Sequence, residues 1–124
     1  MMKLVAILIG GGLGALSRYG VTTFVQNKTG NGFPWGTIAV NMIGCLLFGF
    51  LFSVVERRLE IPETTRAAIF IGFLGAFTTF STYAYEIVQH LEEAGWLLAF
   101  ANFALQNLAA LALIVAGAAL GKYV

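Results

Sequence analysis

Four small hydroxyl side chains fall within five positions of an otherwise apolar stretch, GFLGAFTTFSTYAYE, which runs from Gly72 to Glu86. They belong to Thr78, Thr79, Ser81 and Thr82. Gly, Ser and Thr are poor helix formers, and Ser and Thr can bond back to carbonyls one turn earlier, which bends or breaks a helix. A break at membrane depth frees carbonyls that can bind a cation and amides that can bind an anion. The alternative is an intact helix whose hydroxyls only pack.

Other side chains in apolar segments offer donors to an anion. Asn41 could be interhelical glue or a neutral amide that holds an anion without trapping it. Asn102 and Gln106 are spaced i, i+4 and therefore share a helix face. Phe80 and Tyr83 are spaced i, i+3, so their ring edges, which carry partial positive charge, line one face. A polar group in lipid must find a partner or line water.

Three ionisable side chains also lie within apolar segments. Arg18 either extends to the headgroups or ties together loops or a pore mouth. Glu86 is the only carboxylate inside a predicted span, and His90 lies one turn beyond it on the same face. This pair is either a hydrated interfacial pair, which we favour, or a proton-coupling site.

The composition indicates that lipid, rather than water, surrounds these side chains. Of 124 residues, 59% are hydrophobic and 10% are charged, and the mean hydropathy is +0.85, whereas a soluble domain has about a quarter of its residues charged. The sequence predicts an all-α membrane protein with a single domain over residues 1–124. Its four spans lie at about 4–25, 37–55, 67–91 and 96–120. The net charge of +1 offers no basic patch for nucleic acid, and no nucleophile–base pair or metal cluster suggests an enzyme.

Basic residues predict the orientation of the spans. One side of the predicted membrane holds Lys3, Arg57, Arg58, Arg66 and Lys122, whereas the other holds Lys28 alone. The termini are therefore expected in the cytoplasm for at least one population of the protein.

Glycines spaced four or five residues apart predict where the helices approach closely. Gly10 and Gly14 lie on one face of the first span, and Gly117 and Gly121 repeat the spacing in the fourth. The second span carries Gly44 and Gly49. Small residues of this kind allow the backbones of membrane helices to pack against each other.

Three segments resemble the signatures of the Fluc (CrcB) fluoride channels: GGGLGALSRY, GTIAVNMIG and GFLGAFTTFSTYAYE. The resemblance extends over essentially the whole chain. It implies a passive channel that exports fluoride from the cytoplasm across the plasma membrane of a prokaryote. It also implies an antiparallel, dual-topology dimer in the lipid bilayer, with a second subunit in inverted orientation and most simply a homodimer. The third helix is expected to be broken, with a structural sodium ion at the dimer centre.

The resemblance also implies roles for individual residues. The carbonyls of Gly75 and Thr78 correspond to the sodium ligands, and Asn41 and Phe80 correspond to the pore amide and first pore phenylalanine. The second aromatic position, usually phenylalanine in this family, holds Tyr83. The hydroxyls of Thr79, Ser81 and Thr82 are expected along the fluoride pathway.

Two further expectations combine the resemblance with the residues of this chain. The family often carries hydroxyls on the fourth helix, but this chain has no Ser or Thr after Thr82. Asn102 and Gln106 are therefore expected to continue the polar pathway. Arg18 and Glu86 are assigned structural or pore-mouth roles.

Two alternatives remain open from the sequence. A small dual-topology multidrug transporter needs an acidic residue in its first helix, where this chain has Arg18 and no carboxylate. A partner subunit of a heterodimeric fluoride channel is favoured by the five-to-one basic bias, because a self-inverting protein should show little bias.

Overall fold

The computed structural model describes residues 1–58 and 60–124, and within these residues the backbone forms helices and turns without strands. Four helical segments there are long and apolar enough to cross a membrane: Met2–Thr29, Trp35–Arg57, Glu63–Ala94 and Trp96–Leu120. The predicted all-helical fold with four spans is confirmed. Three of the four segments extend several residues beyond the predicted spans, because polar and charged ends remain helical outside the apolar stretch.

The chain order is as follows: α1 (Met2–Thr29), α2 (Trp35–Arg58), α3 (Glu63–Ala67), a π-helical stretch (Ala68–Leu74), α4 (Gly75–Phe77), α5 (Phe80–Gln89), a π-helical turn (His90–Ala94) and α6 (Trp96–Leu120). The third span begins directly after Pro62, whose fixed φ suits a helix start. Gly30 and Gly95 have φ of 82° and 93° where α1 ends and α6 begins. Such positive φ values suit glycine, which has no Cβ.

Two residues of the third span are extended and separate α4 from α5. Thr78 has φ −84° and ψ 159°, and Thr79 has φ −146° and ψ 115°. The Thr78 hydroxyl donates to the Leu74 carbonyl at 3.1 Å. This is the bond to a carbonyl one turn earlier that the Ser and Thr residues of this stretch were expected to form. The Thr79 hydroxyl oxygen accepts from the Thr82 amide at 3.3 Å and so caps α5.

Glycine contacts between backbones hold the spans together. A Cβ added to Gly10 would overlap the Ala68 carbonyl, so α1 lies directly against the π-helical stretch. A Cβ on Gly49 would overlap the Ile114 carbonyl, and one on Gly117 would overlap the Leu46 carbonyl. The close approach predicted from the glycine spacing is therefore confirmed for α1 and for the α2–α6 pair.

The outer surface is apolar, and several of the best-buried side chains are polar. Leu8 and Leu111 are exposed along α1 and α6, whereas Asn102 is 0% exposed and Gln106 is 4% exposed. This distribution reverses that of a soluble protein, where amides lie mostly at the surface. The fold therefore places a buried polar site between helices whose outer faces suit lipid.

Candidate functional site

The Asn41 side chain binds the backbone of Thr79 with both ends of its amide. The Thr79 N–H donates to Asn41 Oδ1 at 2.9 Å, and Asn41 Nδ2 donates to the Thr79 carbonyl at 3.2 Å. Thr79 is 8% exposed, so its backbone needs partners inside the protein. Asn41 on α2 thus satisfies the extended residue that separates α4 from α5. We call this pair of bonds the Asn41 clasp.

One bond of the clasp and the Thr79 cap of α5 divert two donors that an α-helix would give to carbonyls. In an α-helix the N–H of residue i bonds to the carbonyl of residue i−4. The Thr79 N–H, which would reach Gly75, bonds to Asn41 instead, and the Thr82 N–H, which would reach Thr78, bonds to the Thr79 hydroxyl. The carbonyls of Gly75 and Thr78 therefore have oxygen lone pairs available for other partners.

Arg18 is one of those partners. Its Nη1 donates to the Thr78 carbonyl at 3.3 Å, across 60 residues of sequence. Of the two roles considered for Arg18, this contact supports a tie between α1 and the extended segment of the third span. A carbonyl oxygen has two lone pairs, so the Thr78 carbonyl can still accept a second partner.

The two amides predicted on α6 continue from the clasp into the protein. Asn41 Nδ2 donates to Gln106 Oε1 at 2.7 Å, and Gln106 Nε2 donates to Asn102 Oδ1 at 2.8 Å. The shared face of Asn102 and Gln106, predicted from their spacing, is confirmed by this bond. Three side-chain amides from α2 and α6 thus form one hydrogen-bonded chain.

Two aromatic rings lie beside the clasp. The ring centroids of Phe80 and Tyr83 are 5.5 Å apart with an angle of 58° between the planes. Tyr83 is 6% exposed, whereas Phe80 is 78% exposed on the outer face of the chain. The Tyr83 hydroxyl accepts a hydrogen bond from Asn107 Nδ2 at 2.6 Å. Asn107 was not among the predicted site residues, although an amide next to Gln106 in an apolar helix was a signal for it.

These groups line a cavity of about 360 Å³, which we call the central cavity. Its polar lining comes from Asn41, Thr78, Thr79, Tyr83, Gln106 and Asn107, and Gly75 and Phe80 also line it. No charged side chain is among the described residues that line it. The central cavity therefore offers neutral donors and ring edges, which can contact an anion without the strong attraction of a cationic side chain.

A second cavity, of about 590 Å³, lies near the loop between α1 and α2, and we call it the mouth cavity. It is lined by Thr37, Thr82, Glu86 and His90, among others. The Thr37 hydroxyl donates to Glu86 Oε1. Within the described part of the chain, Glu86 Oε2 and His90 Nδ1 are buried without a hydrogen-bond partner. Glu86 therefore lies at a cavity edge, as a pore-mouth assignment requires, and Thr37 is a partner that the sequence did not identify.

The predicted hydroxyls occupy different environments. Thr79 lines the central cavity, and Thr82 lines the mouth cavity and donates through its amide to the Thr79 hydroxyl. Ser81 is exposed and lines neither of these two cavities. The structure thus brings Thr79 and Thr82 together and leaves Ser81 apart from them.

Two comparisons with known proteins indicate the same family. A family model described as CrcB-like protein, Camphor Resistance (CrcB), matches residues 5–118. A fluoride-specific ion channel FluC from Nitrosococcus oceani is 48% identical over 105 residues, which cover 85% of this chain and 84% of that protein. Another FluC, from Maridesulfovibrio salexigens, is 42% identical over 124 residues, covering 100% of this chain and 98% of the relative. On this evidence the chain belongs to the CrcB family.

Proposed function

We propose that this protein is a passive, fluoride-selective channel that exports fluoride from the cytoplasm. The observation that carries the proposal is the central cavity, where the Asn41 amide and the rings of Phe80 and Tyr83 meet beside the extended Thr79. Relatives that cover most of this chain are named fluoride-specific ion channels. A family of channels also supports the prediction that the protein is not an enzyme.

The chemistry of the central cavity suits a small, strongly hydrated anion. Such an ion leaves water only where donors along its path replace the hydration shell, and it leaves the site again only where binding is weak. Amide N–H groups, hydroxyls and ring edges provide donors without full charges. Because no carboxylate, histidine, lysine or arginine is among the described residues that line the central cavity, fluoride would move down its own gradient without proton exchange there.

An incomplete enclosure supports assembly with a second subunit. The central cavity is lined by the buried Gln106 and the half-buried Asn41, and also by Phe80, which is 78% exposed on the outer face of the single chain. Polar groups at membrane depth must be covered by protein or by water. A second copy in inverted orientation would cover this face and bring its own copy of each lining residue, as the dual-topology arrangement requires.

The freed carbonyls of Gly75 and Thr78 fit a structural sodium ion. Sodium is a hard cation that prefers oxygen ligands, and both carbonyls lack their α-helical donors because those donors bond to Asn41 and to the Thr79 hydroxyl. One chain offers two carbonyls, so an inverted pair would offer four. When bound, the ion would neutralise these carbonyls and make the local field more favourable to anions. The extended segment of the third span would then provide carbonyl ligands for sodium and lie beside the proposed fluoride site.

The location of the channel follows from the same proposal. Four spanning helices and channel relatives make this a multi-pass membrane protein. The named relatives come from bacteria, which supports a place in the plasma membrane of a prokaryote. The termini are expected in the cytoplasm for at least one of two orientations.

One second candidate has a specific observation in its favour. The five-to-one excess of basic residues on one predicted side favours a fixed orientation, which suits a partner subunit of a heterodimeric fluoride channel. A small multidrug transporter has no such support, because α1 carries Arg18 and no carboxylate.

Fluoride-electrode recording of efflux from liposomes that contain this chain alone tests the proposal. Wild-type protein should release fluoride, and Phe80→Ile should abolish or severely slow release because it removes a ring edge from the central cavity. Phe100→Ile, at an exposed position of α6, is the matched control and should behave as wild type. Release that matches wild type in Phe80→Ile would remove the ring from the mechanism.

The same liposomes distinguish the subunit and sodium proposals. If the chain alone releases no fluoride but the chain together with an unlike second chain does, the heterodimer proposal is supported and the homodimer proposal is contradicted. Removal of sodium should destabilise the purified dimer, and a dimer insensitive to sodium removal would contradict the sodium site.

A further inference from the structure

The three hydrogen-bonded amides have a direction that is set at one end. The Thr79 backbone presents a fixed N–H donor and a fixed carbonyl acceptor, so Asn41 must turn Oδ1 to the first and Nδ2 to the second. Asn41 Nδ2 then also faces Gln106, which must present Oε1 at 2.7 Å. Gln106 Nε2 consequently faces Asn102, which must present Oδ1 at 2.8 Å.

This direction leaves one donor without a partner at the far end. Asn102 is 0% exposed, and its Nδ2 is buried with no hydrogen-bond partner in the described part of the chain. In protein backbones an unpaired buried N–H is rarer than an under-satisfied carbonyl, and the side-chain amide of Asn102 has the same two kinds of group. The observed direction of the chain is therefore the less favourable one at the Asn102 end, and the Thr79 backbone imposes it.

The direction also occupies the donors that an anion would need. The Asn41 amide has two N–H donors, and these go to the Thr79 carbonyl and to Gln106 Oε1. A fluoride ion near Asn41 in the central cavity would therefore meet the side-chain oxygen Oε1 of Gln106, which repels it. The nearby Asn41 N–H donors are already bonded to other acceptors. Fluoride can gain an Asn41 donor while the Asn41 clasp is kept only by displacing Gln106 Oε1.

We infer that fluoride binds between Asn41 and Gln106 by reversing the amides of Gln106 and Asn102, an inference that rests on the proposed channel function. In the reversed chain, Asn41 Nδ2 and Gln106 Nε2 both donate to the fluoride. Gln106 Oε1 then accepts from Asn102 Nδ2, so the buried donor gains a partner, while Asn102 Oδ1 gives up its bond from Gln106 Nε2. No proton is transferred, and the clasp on Thr79 is kept.

The arrangement selects a ligand that only accepts hydrogen bonds. With Gln106 reversed, two N–H groups face each other across a contact of 2.7 Å, so the Gln106 side chain must also withdraw into the central cavity to admit a small acceptor between them. Both Asn41 and Gln106 line the central cavity, which provides the space, and the ring edges of Phe80 and Tyr83 line it too. The site is therefore assembled by the ion and is absent without it.

Nuclear magnetic resonance of the ¹⁵N-labelled full chain tests the reversal directly. The side-chain amide signals of Asn41, Gln106 and Asn102 are assigned by through-bond correlation and followed as sodium fluoride is added, with sodium chloride as the matched series. All three amides should shift together with one midpoint in fluoride, because the Asn102 N–H becomes hydrogen-bonded. A shift of Asn41 alone, or equal shifts in chloride, would overturn the inference.

Fluoride release from liposomes gives a second readout. Gln106→Met removes one of two donors to the ion, so the half-saturating fluoride concentration should rise at least about tenfold, as expected for a lost hydrogen bond to a charged group. Leu105→Met, at an exposed neighbouring position of α6, is the control and should match wild type. Faster release with an unchanged midpoint in Gln106→Met would mean that Gln106 only obstructs the path, and would refute the reversal.

The two proposals fail in different ways. Wild-type liposomes that release no fluoride, either with this chain alone or with an unlike second chain, would contradict the channel function itself. Wild-type release together with unchanged Gln106 and Asn102 amide signals would contradict only the reversal. The wild-type titration decides this without any variant, so a variant that fails to fold does not remove the test.

Discussion

The Asn41 clasp makes a quantitative prediction about stability. Asn41→Leu keeps a side chain of similar size but removes both bonds to the Thr79 backbone, at 2.9 and 3.2 Å. Thr79 is 8% exposed, so its N–H and carbonyl would be left buried without these partners. Each such group costs about 1–3 kcal/mol, which gives a loss of about 2–6 kcal/mol in the free energy of unfolding. Typical proteins have only about 5–15 kcal/mol in total.

Thermal unfolding of the purified protein measures this loss. A decrease of about 2 kcal/mol should lower the melting temperature by at least about 6 °C for a chain of this size. Hydrogen exchange at the Thr79 amide gives a local readout, and exchange should accelerate in Asn41→Leu because the donor has lost its acceptor. Fluoride release should also fall, but the thermal and exchange measurements separate the clasp from a purely ion-binding role.

Asn107→Leu is the control for the Asn41 substitution. It makes the same chemical change in an exposed residue whose side chain donates to the Tyr83 hydroxyl and the Phe103 carbonyl. It leaves the Thr79 backbone bonds in place, so a smaller loss of stability and normal Thr79 exchange are expected. Equal losses in the two variants, with Thr79 exchange unchanged in both, would show that the clasp does not stabilise the extended segment.

Two further substitutions probe the surroundings of the clasp. Gly44→Ala would place a Cβ against the Thr78 Cγ2, so fluoride release from liposomes should fall. Gly12→Ala is the control, because its Cβ would meet no atom within 4 Å and release should stay at the wild-type rate. Normal release from Gly44→Ala would show that Thr78 can move aside. Tyr83→Phe should still release fluoride, because the ring edge is kept. The rate of release should change, because the hydroxyl that accepts from Asn107 is lost. A complete loss of release would show that the hydroxyl itself is required.

The spans could be predicted because lipid imposes one simple requirement. About 20 apolar residues are needed to cross the hydrocarbon, and hydropathy along a single sequence reports that length. The ends were less accurate, since Lys28 and Arg57 lie in helical turns that continue beyond the predicted spans. Hydropathy locates the part of a helix that suits lipid, whereas the helix itself ends where its backbone bonding ends.

Pairing between distant side chains could not be predicted in the same way. Thr37 and Glu86 are 49 residues apart, and Asn107 and Tyr83 are 24 apart, yet both pairs bond directly. Spacing within one helix indicated that Asn102 and Gln106 share a face, because helical geometry fixes that relation. No such rule relates residues of different helices, whose contacts depend on how the glycine surfaces pack.

The bonds of Asn41 have a consequence for the rate of passage. Both of its N–H donors are bonded within the protein, so in the proposed mechanism fluoride must first open the bond to Gln106. The apparent affinity is then reduced by the fraction of chains in which that donor is free. Weak apparent binding lets an ion leave as readily as it enters, which conduction requires. An Asn41 amide whose donor is bonded to Gln106 therefore suits a channel better than an Asn41 amide with a free donor. A free donor would bind fluoride more tightly and release it more slowly.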